Sequence, residues 1–157
     1  MDKIYTAYYK SPIGTIELKG NNDGVISLYF IEEDVTSFET PNCLVECINQ
    51  LDEYFKGVRK NFSLKLNISG TEFRKKVWNK LQDIPYGETC SYLDIAKAIE
   101  NEKAVRAVGG ANHNNKISII IPCHRVIGSS GSLTGYGGGL WRKDWLLKHE
   151  KSFKDAK

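Results

Sequence analysis

Between residues 61 and 84 the period of the apolar side chains changes once, and that change constrains the fold more than any other feature of the 157-residue chain. Phe62, Leu64, Leu66 and Ile68 alternate with Asn61, Ser63, Lys65 and Asn67, the period of two that buries one face of a strand. From Ser69-Gly70-Thr71 onward the spacing is helical, with Phe73, Val77, Trp78, Leu81 and Ile84 on one face and Arg74, Lys75, Lys76 and Lys80 on the others. Ser69 and Glu72 have capping-box spacing, and Ile84-Pro85-Tyr86-Gly87 ends the helix. A boundary is expected near residue 70, with domains at 1–69 and 70–157.

The first domain reads as an antiparallel sheet plus a helix. Tyr5, Ala7 and Tyr9, then residues 13–18, then 25–31 are rich in aromatic and β-branched side chains, with turn residues at Ser11-Pro12 and across 20–24. Leu44, Ile48, Leu51 and Phe55 place a helix over 42–55, and Gly57 stands where a C-terminal cap belongs. In the second domain Ser91 and Asp94 repeat the capping spacing and open a short helix over 92–99; a second helix begins near Lys103, which suggests a helix-turn-helix. Residues 117–121 read as a short buried strand that delivers Pro122-Cys123-His124-Arg125-Val126. A loop of small residues, 128–139, leads to a final helix carrying Leu140, Trp141, Trp145, Leu146 and Leu147. The fold class is α+β, a small sheet-and-helix domain followed by a mainly helical one.

Charge divides at the same boundary. Residues 1–69 hold 7 Lys+Arg against 10 Asp+Glu, whereas residues 70–157 hold 15 against 9 together with His113, His124 and His149. The basic half fits a polyanionic partner. Its second short helix, Ala104-Val105-Arg106-Ala107-Val108-Gly109-Gly110-Ala111, has small side chains and one cation, so it is either a core helix or a recognition helix pressed on a nucleic acid backbone. No apolar run approaches the ~20 residues of a membrane-spanning helix. Met1-Asp2-Lys3-Ile4-Tyr5 lacks the apolar core of a secretory signal, so a cytoplasmic protein with reduced thiols is expected.

Of the four cysteines, Cys43 and Cys47 share a helix face but have no further ligands to complete a metal site, and Cys90 has no histidine near it. Cys123 differs, because it follows an apolar run and a proline and precedes a histidine and an arginine, cations that favour the thiolate. Consecutive strand residues point to opposite faces, so Cys123 and His124 meet only if the chain turns sharply after Pro122 or a water bridges them. Glu150, placed after the final helix, is a candidate to fix the His124 tautomer. Gly135-Tyr136-Gly137-Gly138-Gly139 lacks the ending of a phosphate loop and suits the lining of a pocket beside Cys123.

Ile121-Pro122-Cys123-His124-Arg125-Val126 resembles the signature of the O6-methylguanine-DNA methyltransferases, also called O6-alkylguanine-DNA alkyltransferases. The resemblance extends over Phe73…Val77-Trp78…Leu81…Ile84-Pro85-Tyr86-Gly87-Glu88-Thr89, Ser91-Tyr92…Ile95-Ala96, Arg106-Ala107-Val108-Gly109 and Gly135-Tyr136…Gly139-Leu140. It covers nearly all of residues 70–150, with Ser11-Pro12-Ile13-Gly14 as a weaker echo near the start. It implies a ribonuclease H-like first domain and a winged-helix-like second domain. It implies that Cys123 accepts the alkyl group, activated through a water by His124, which Glu150 orients, with Asn115 at the hinge before the active-site segment. Tyr92 would crowd the 3′ phosphate and help rotate the damaged nucleotide outward. Arg106 would fill the gap, and Ala107 and Gly109 would let the helix lie in the minor groove. Val126, Tyr136 and the Gly137 amide would bound the guanine pocket.

The resemblance implies action on double-stranded DNA containing O6-alkylguanine with no cofactor and no nucleotide, one protein consumed per lesion, by a DNA-associated monomer without a metal or membrane partner. The chain departs from the family where Asn115-Lys116 stands for the usual Asn-Pro, which makes Asn114 a second candidate for the hinge. Three rivals predict different behaviour. A lesion-sensing relative lacks transfer, a thiol hydrolase turns over without DNA, and an alkylation-switched regulator prefers one DNA sequence.

Overall fold

A computed structural model describes residues 3–35 and 38–155; Met1 and Asp2 of the opening pentapeptide lie outside the described residues. The chain forms two compact units, residues 1–69 and 70–157.

In the first unit, β1 (Tyr5–Ser11), β2 (Gly14–Asn21) and β3 (Gly24–Ile31) form an antiparallel sheet in chain order. Both connections are tight, with Ser11 opposite Gly14 and Asn21 opposite Gly24. Gly24 has φ 133°, and a Cβ there would lie 2.6 Å from the Lys65 carbonyl oxygen. Ala7, Ile16, Leu18 and Leu28 are buried under α1 (Asn42–Phe55), which contributes Leu44, Cys47, Leu51 and Tyr54. At full burial each large aliphatic or aromatic side chain contributes about 1.5–3 kcal/mol, so this one layer carries the unit. Gly57 at φ 80° closes α1, donating to the Tyr54 carbonyl at 3.0 Å while Val58 donates to Glu53 at 3.0 Å, the paired bonds of a Schellman motif.

The expected strand over 61–68 is absent as a ladder. Only Val25 pairs with it, donating to the Lys65 carbonyl at 2.9 Å and accepting from the Asn67 amide at 2.8 Å. The Gln50 side chain of α1 satisfies Ser63 instead, accepting from its amide at 2.9 Å and donating to its carbonyl at 3.1 Å. The alternation survives as half-buried Phe62, Leu64 and Leu66 after exposed Asn61, Ser63 and Lys65, and lapses at Asn67, which is half-buried.

In the second unit, α2 (Glu72–Leu81) starts two residues later than expected, because Thr71, not Ser69, is the cap and accepts the Arg74 amide at 3.1 Å. It also stops at Leu81, short of Ile84. Trp78 is buried, and its indole N–H donates to the Ala111 carbonyl at 2.8 Å, tying α2 to a segment 33 residues further on. The Ser91–Asp94 capping box forms with bonds of 3.0 and 2.9 Å and opens α3 (Tyr92–Ala98). A short 3₁₀ turn at Glu102–Ala104 leads into α4 (Val105–His113). A two-stranded parallel pair, β4 (Cys90–Ser91) with β5 (Val126–Ile127), and α5 (Leu140–Phe153) complete the unit.

Residues 117–121 form no strand. Ile120 donates back to the Ser118 carbonyl at 2.8 Å around Ile119 at φ 72°, a γ-turn of the rare positive-φ kind. Cys123 then donates to Ile121 at 2.7 Å around Pro122 at φ −80° and ψ 64°, an inverse γ-turn. Two reversals in six residues replace the extended run, and Ile117, Ile119 and Ile121 are buried nonetheless.

Candidate active site

Cys123 opens a 3₁₀ turn, Cys123–Arg125, so the sharp bend that the sequence required after Pro122 is present. Cys123 is 4% exposed. Burial pushes it up from the ordinary range, while a hydrogen bond from Asn115 and the Lys143 cation pull it back down. Burial also raises Cys90, to about 11, with Asp94 adding to the effect. Cys47 rises to about 12 by burial alone, and neither thiol has such an offset. Lys143 is therefore the cation that partly offsets burial at the thiol, while the His124 and Arg125 side chains expected to do so turn to Glu150.

Glu150 lies inside α5, not after it, and is completely buried. His124 Nε2 is 2.7 Å from Oε2, Arg125 donates to Oε1 at 2.8 Å and to Oε2 at 3.0 Å, and the Gly87 amide donates to Oε1 at 3.3 Å. Burial by itself would raise the carboxyl, but His124 and Arg125 override it and hold Glu150 well below the usual carboxylate range. The His124 imidazole is held below its ordinary value, by burial first, with Glu150 opposing. A neutral imidazole whose Nε2 faces a carboxylate carries its proton there. Nδ1 is then a lone-pair acceptor, and it has no hydrogen-bond partner among the described residues.

Asn115 is buried, donates to the Ile121 carbonyl at 2.8 Å and accepts from the Ile117 amide at 3.0 Å, so its amide braces both ends of the turn that precedes Cys123. Asn114 is exposed and donates to Gly110 within α4. Val126 is buried in β5, Tyr136 is buried in the 128–139 loop, and the space where a Gly137 side chain would stand is open. Tyr136 is raised well above the ordinary phenol value, by burial and then by Cys123. Tyr92 is the first residue of α3, and its hydroxyl is 2.5 Å from Thr134 Oγ1. On α4, Val108 and Ala111 face the core while Arg106, Ala107 and Gly110 are exposed and Gly109 lies against the Tyr92 ring. One face of that helix is therefore core and the other a flat, small-residue surface with a cation.

Sequence reasoning missed Lys143. It is fully buried, and its ammonium donates to the Val126 carbonyl at 2.6 Å and the Thr134 carbonyl at 2.9 Å, clamping β5 to the 128–139 loop. The signal was its spacing of two helical turns from Glu150, and the apolar stripe assigned to that helix concealed it. Among the described residues no cluster of His, Cys, Asp and Glu could hold a metal ion, and no helix is long and apolar enough to cross a membrane.

By architecture and site together this is a buried thiol, beside a His124–Glu150 pair, carried on a helix-turn-helix unit. The models described as "6-O-methylguanine DNA methyltransferase, DNA binding domain" and "6-O-methylguanine DNA methyltransferase, ribonuclease-like domain" match residues 72–152 and 4–68. The methylated-DNA–protein-cysteine methyltransferase of Methanosarcina acetivorans is 49% identical, over 95% of this chain and 99% of that protein. The constitutive one of Bacillus subtilis is 44% identical over 96% and 98%. The crystal structure of the Mycobacterium tuberculosis O6-methylguanine methyltransferase superposes with a TM-score of 0.89 at 42% identity, covering 99% of this chain and 97% of that one. A structure of the Mycobacterium tuberculosis protein in complex with DNA matches at 0.85. The chain belongs to the methylated-DNA–protein-cysteine methyltransferase family.

Proposed function

We propose that the protein repairs double-stranded DNA by direct, irreversible and stoichiometric transfer of the alkyl group of O6-alkylguanine to Cys123. The observation that carries this reading is the buried Cys123 turn beside a His124–Glu150 pair whose Nδ1 is free to take a proton. His124 accepts the Cys123 proton through a water, and Glu150 offsets the resulting imidazolium charge. The thiolate attacks the alkyl carbon in line, the S–C bond forms as the O6–C bond breaks, and the electron pair leaves on guanine. Tyr92 Oη gives guanine its proton, so that a neutral base departs. The S-alkylcysteine is not regenerated, which makes each molecule single-turnover.

Guanine O6 is hidden inside a duplex, so the nucleotide is flipped out at a cost of a few kcal/mol, less for a base that pairs badly. The exposed face of α4 lies in the minor groove, Tyr92 crowds the 3′ phosphate, and Arg106 fills the gap while Ala107 and Gly109 allow close approach. Val126, Tyr136 and the Gly137 amide bound the extruded base, and Asn115 holds the turn that presents Cys123. A duplex carrying O4-alkylthymine, offered in the same transfer assay, decides whether that base is also a substrate. The protein acts as a DNA-associated cytoplasmic monomer with no cofactor, and the sheet-and-helix unit serves as its structural domain.

Intact-protein mass spectrometry after incubation with a duplex containing one O6-methylguanine, followed by peptide mapping, tests it. The expected result is one methyl group on Cys123, saturating at one per protein. A bound duplex with no mass gain would favour a lesion sensor, and repeated product formation without modified protein would favour a hydrolase.

A further inference from the structure

We propose that Thr134 is a positioning residue for transfer: its hydroxyl donates to the Tyr92 phenol oxygen and so leaves the Tyr92 proton directed at the departing guanine. This rests on the reading of Cys123 as alkyl acceptor and of Tyr92 as proton donor.

The two oxygens are 2.5 Å apart, and either can donate. A phenol has one proton, so if Tyr92 donates to Thr134 that proton is withheld from the base; delivery to guanine requires Thr134 to be the donor. Thr134 Oγ1 makes no other hydrogen bond among the described residues, so its rotor is available for this role. Both ends of the contact are fixed. Tyr92 follows the Ser91–Asp94 capping box directly, and its ring lies 4.0 Å from where a Gly109 side chain would begin. The Thr134 carbonyl is held by the Lys143 ammonium, which also holds Val126 at the pocket wall. The hydroxyl is therefore set by the same buried cation that lies near the thiol.

During transfer the S–C bond forms, the O6–C bond breaks, and the Tyr92 proton moves to guanine. The Thr134 O–H then hydrogen-bonds the phenolate left behind until solvent returns a proton. A donor aimed at charge as it develops acts mainly in the transition state, which is why its loss is read in rate rather than in binding.

Single-turnover rates of Thr134→Val, Thr134→Ser, Tyr92→Phe and the Tyr92→Phe/Thr134→Val pair are measured on an O6-methylguanine duplex and on free O6-benzylguanine. Thr134→Val is nearly isosteric and is expected to slow both substrates about tenfold, the loss of one such bond, with unchanged duplex affinity. Thr134→Ser is expected to restore most of the rate, and Thr134→Val to add nothing in the Tyr92→Phe background. A wild-type rate for Thr134→Val, a serine variant as slow as the valine one, or the same tenfold loss without the Tyr92 hydroxyl would each overturn the proposal. Absence of methyl transfer by the wild-type protein in the same assay would instead sink the underlying reading, and this proposal with it.

Discussion

At Glu150 one carboxylate accepts from His124, from two nitrogens of Arg125 and from the Gly87 amide, with no solvent to share the load. All four donors need an oxygen. A glutamine offers one oxygen and one NH₂, so at least one donor would face another donor. Glu150→Gln is therefore expected to lower stability by about 3–5 kcal/mol, the range for breaking a buried ion pair. It also releases the His124 tautomer, and single-turnover transfer should fall at least about a hundredfold, the low end of general acid–base contributions. Urea titration gives the first quantity and a rate measured well below the unfolding midpoint gives the second. A folded variant with the wild-type rate would take His124 and Glu150 out of proton transfer. Cys123 and His124 could be singled out from adjacency alone, but the direction in which Arg125 points could not, because its partner lies 25 residues away on another element.

Elements differed in how openly their side chains declared them. Local bonding made α3 and the end of α1 legible: Ser91, Asp94 and Gly57 act on backbone within a few residues. Residues 61–68 and 117–121 misled because apolar or alternating character reports burial, whereas a strand also needs a partner edge, which Gln50 replaced in one case and two γ-turns removed in the other. The final helix misled in the opposite sense. Leu140 and Trp141 are exposed, Trp141 at 58%, while Lys143, Leu146, His149 and Glu150 are buried, so the site required a polar inner face. For α4 the exposed set is the informative one. Arg106→Ala removes the one long side chain from the Arg106, Ala107 and Gly110 surface and leaves Val108 and Ala111 in the core. Repair of an O6-methylguanine duplex is expected to fall about tenfold or more, with reaction of free O6-benzylguanine changed less than about twofold. Equal losses on both substrates, measured as single-turnover rates, would place Arg106 in the chemistry instead of in the duplex.

For the whole molecule, the acidic first 69 residues and the basic remainder confine the polyanion-facing charge to the unit that also holds the thiol. That unit contains Trp78, Trp141 and Trp145, all three tryptophans of the chain, so tryptophan fluorescence follows its unfolding. Two of its buried groups bind protons less readily than they would in the unfolded chain. His124 is held below its ordinary 6.5 chiefly by burial, and Glu150 is held below its ordinary 4.5 by His124 and Arg125 against the effect of burial. Below the first value the unfolded chain takes up a proton at His124 that the folded chain resists, and below the second the same holds at Glu150. Unfolding is favoured by acid in both steps, so the contribution is complete above about pH 6.5 and is lost progressively as the pH falls. The melting temperature is therefore expected to fall as the pH is lowered from 7.5 to 5, by roughly 2–4 °C for each kcal/mol lost in a chain of this size. His124→Asn should flatten the upper part of this acid limb, while Glu150→Gln should flatten the part below about pH 4.5. A melting temperature that holds constant down to pH 5 in the wild-type protein, or that falls identically in the His124 variant, would show that the buried imidazole is not the group that the acid titrates.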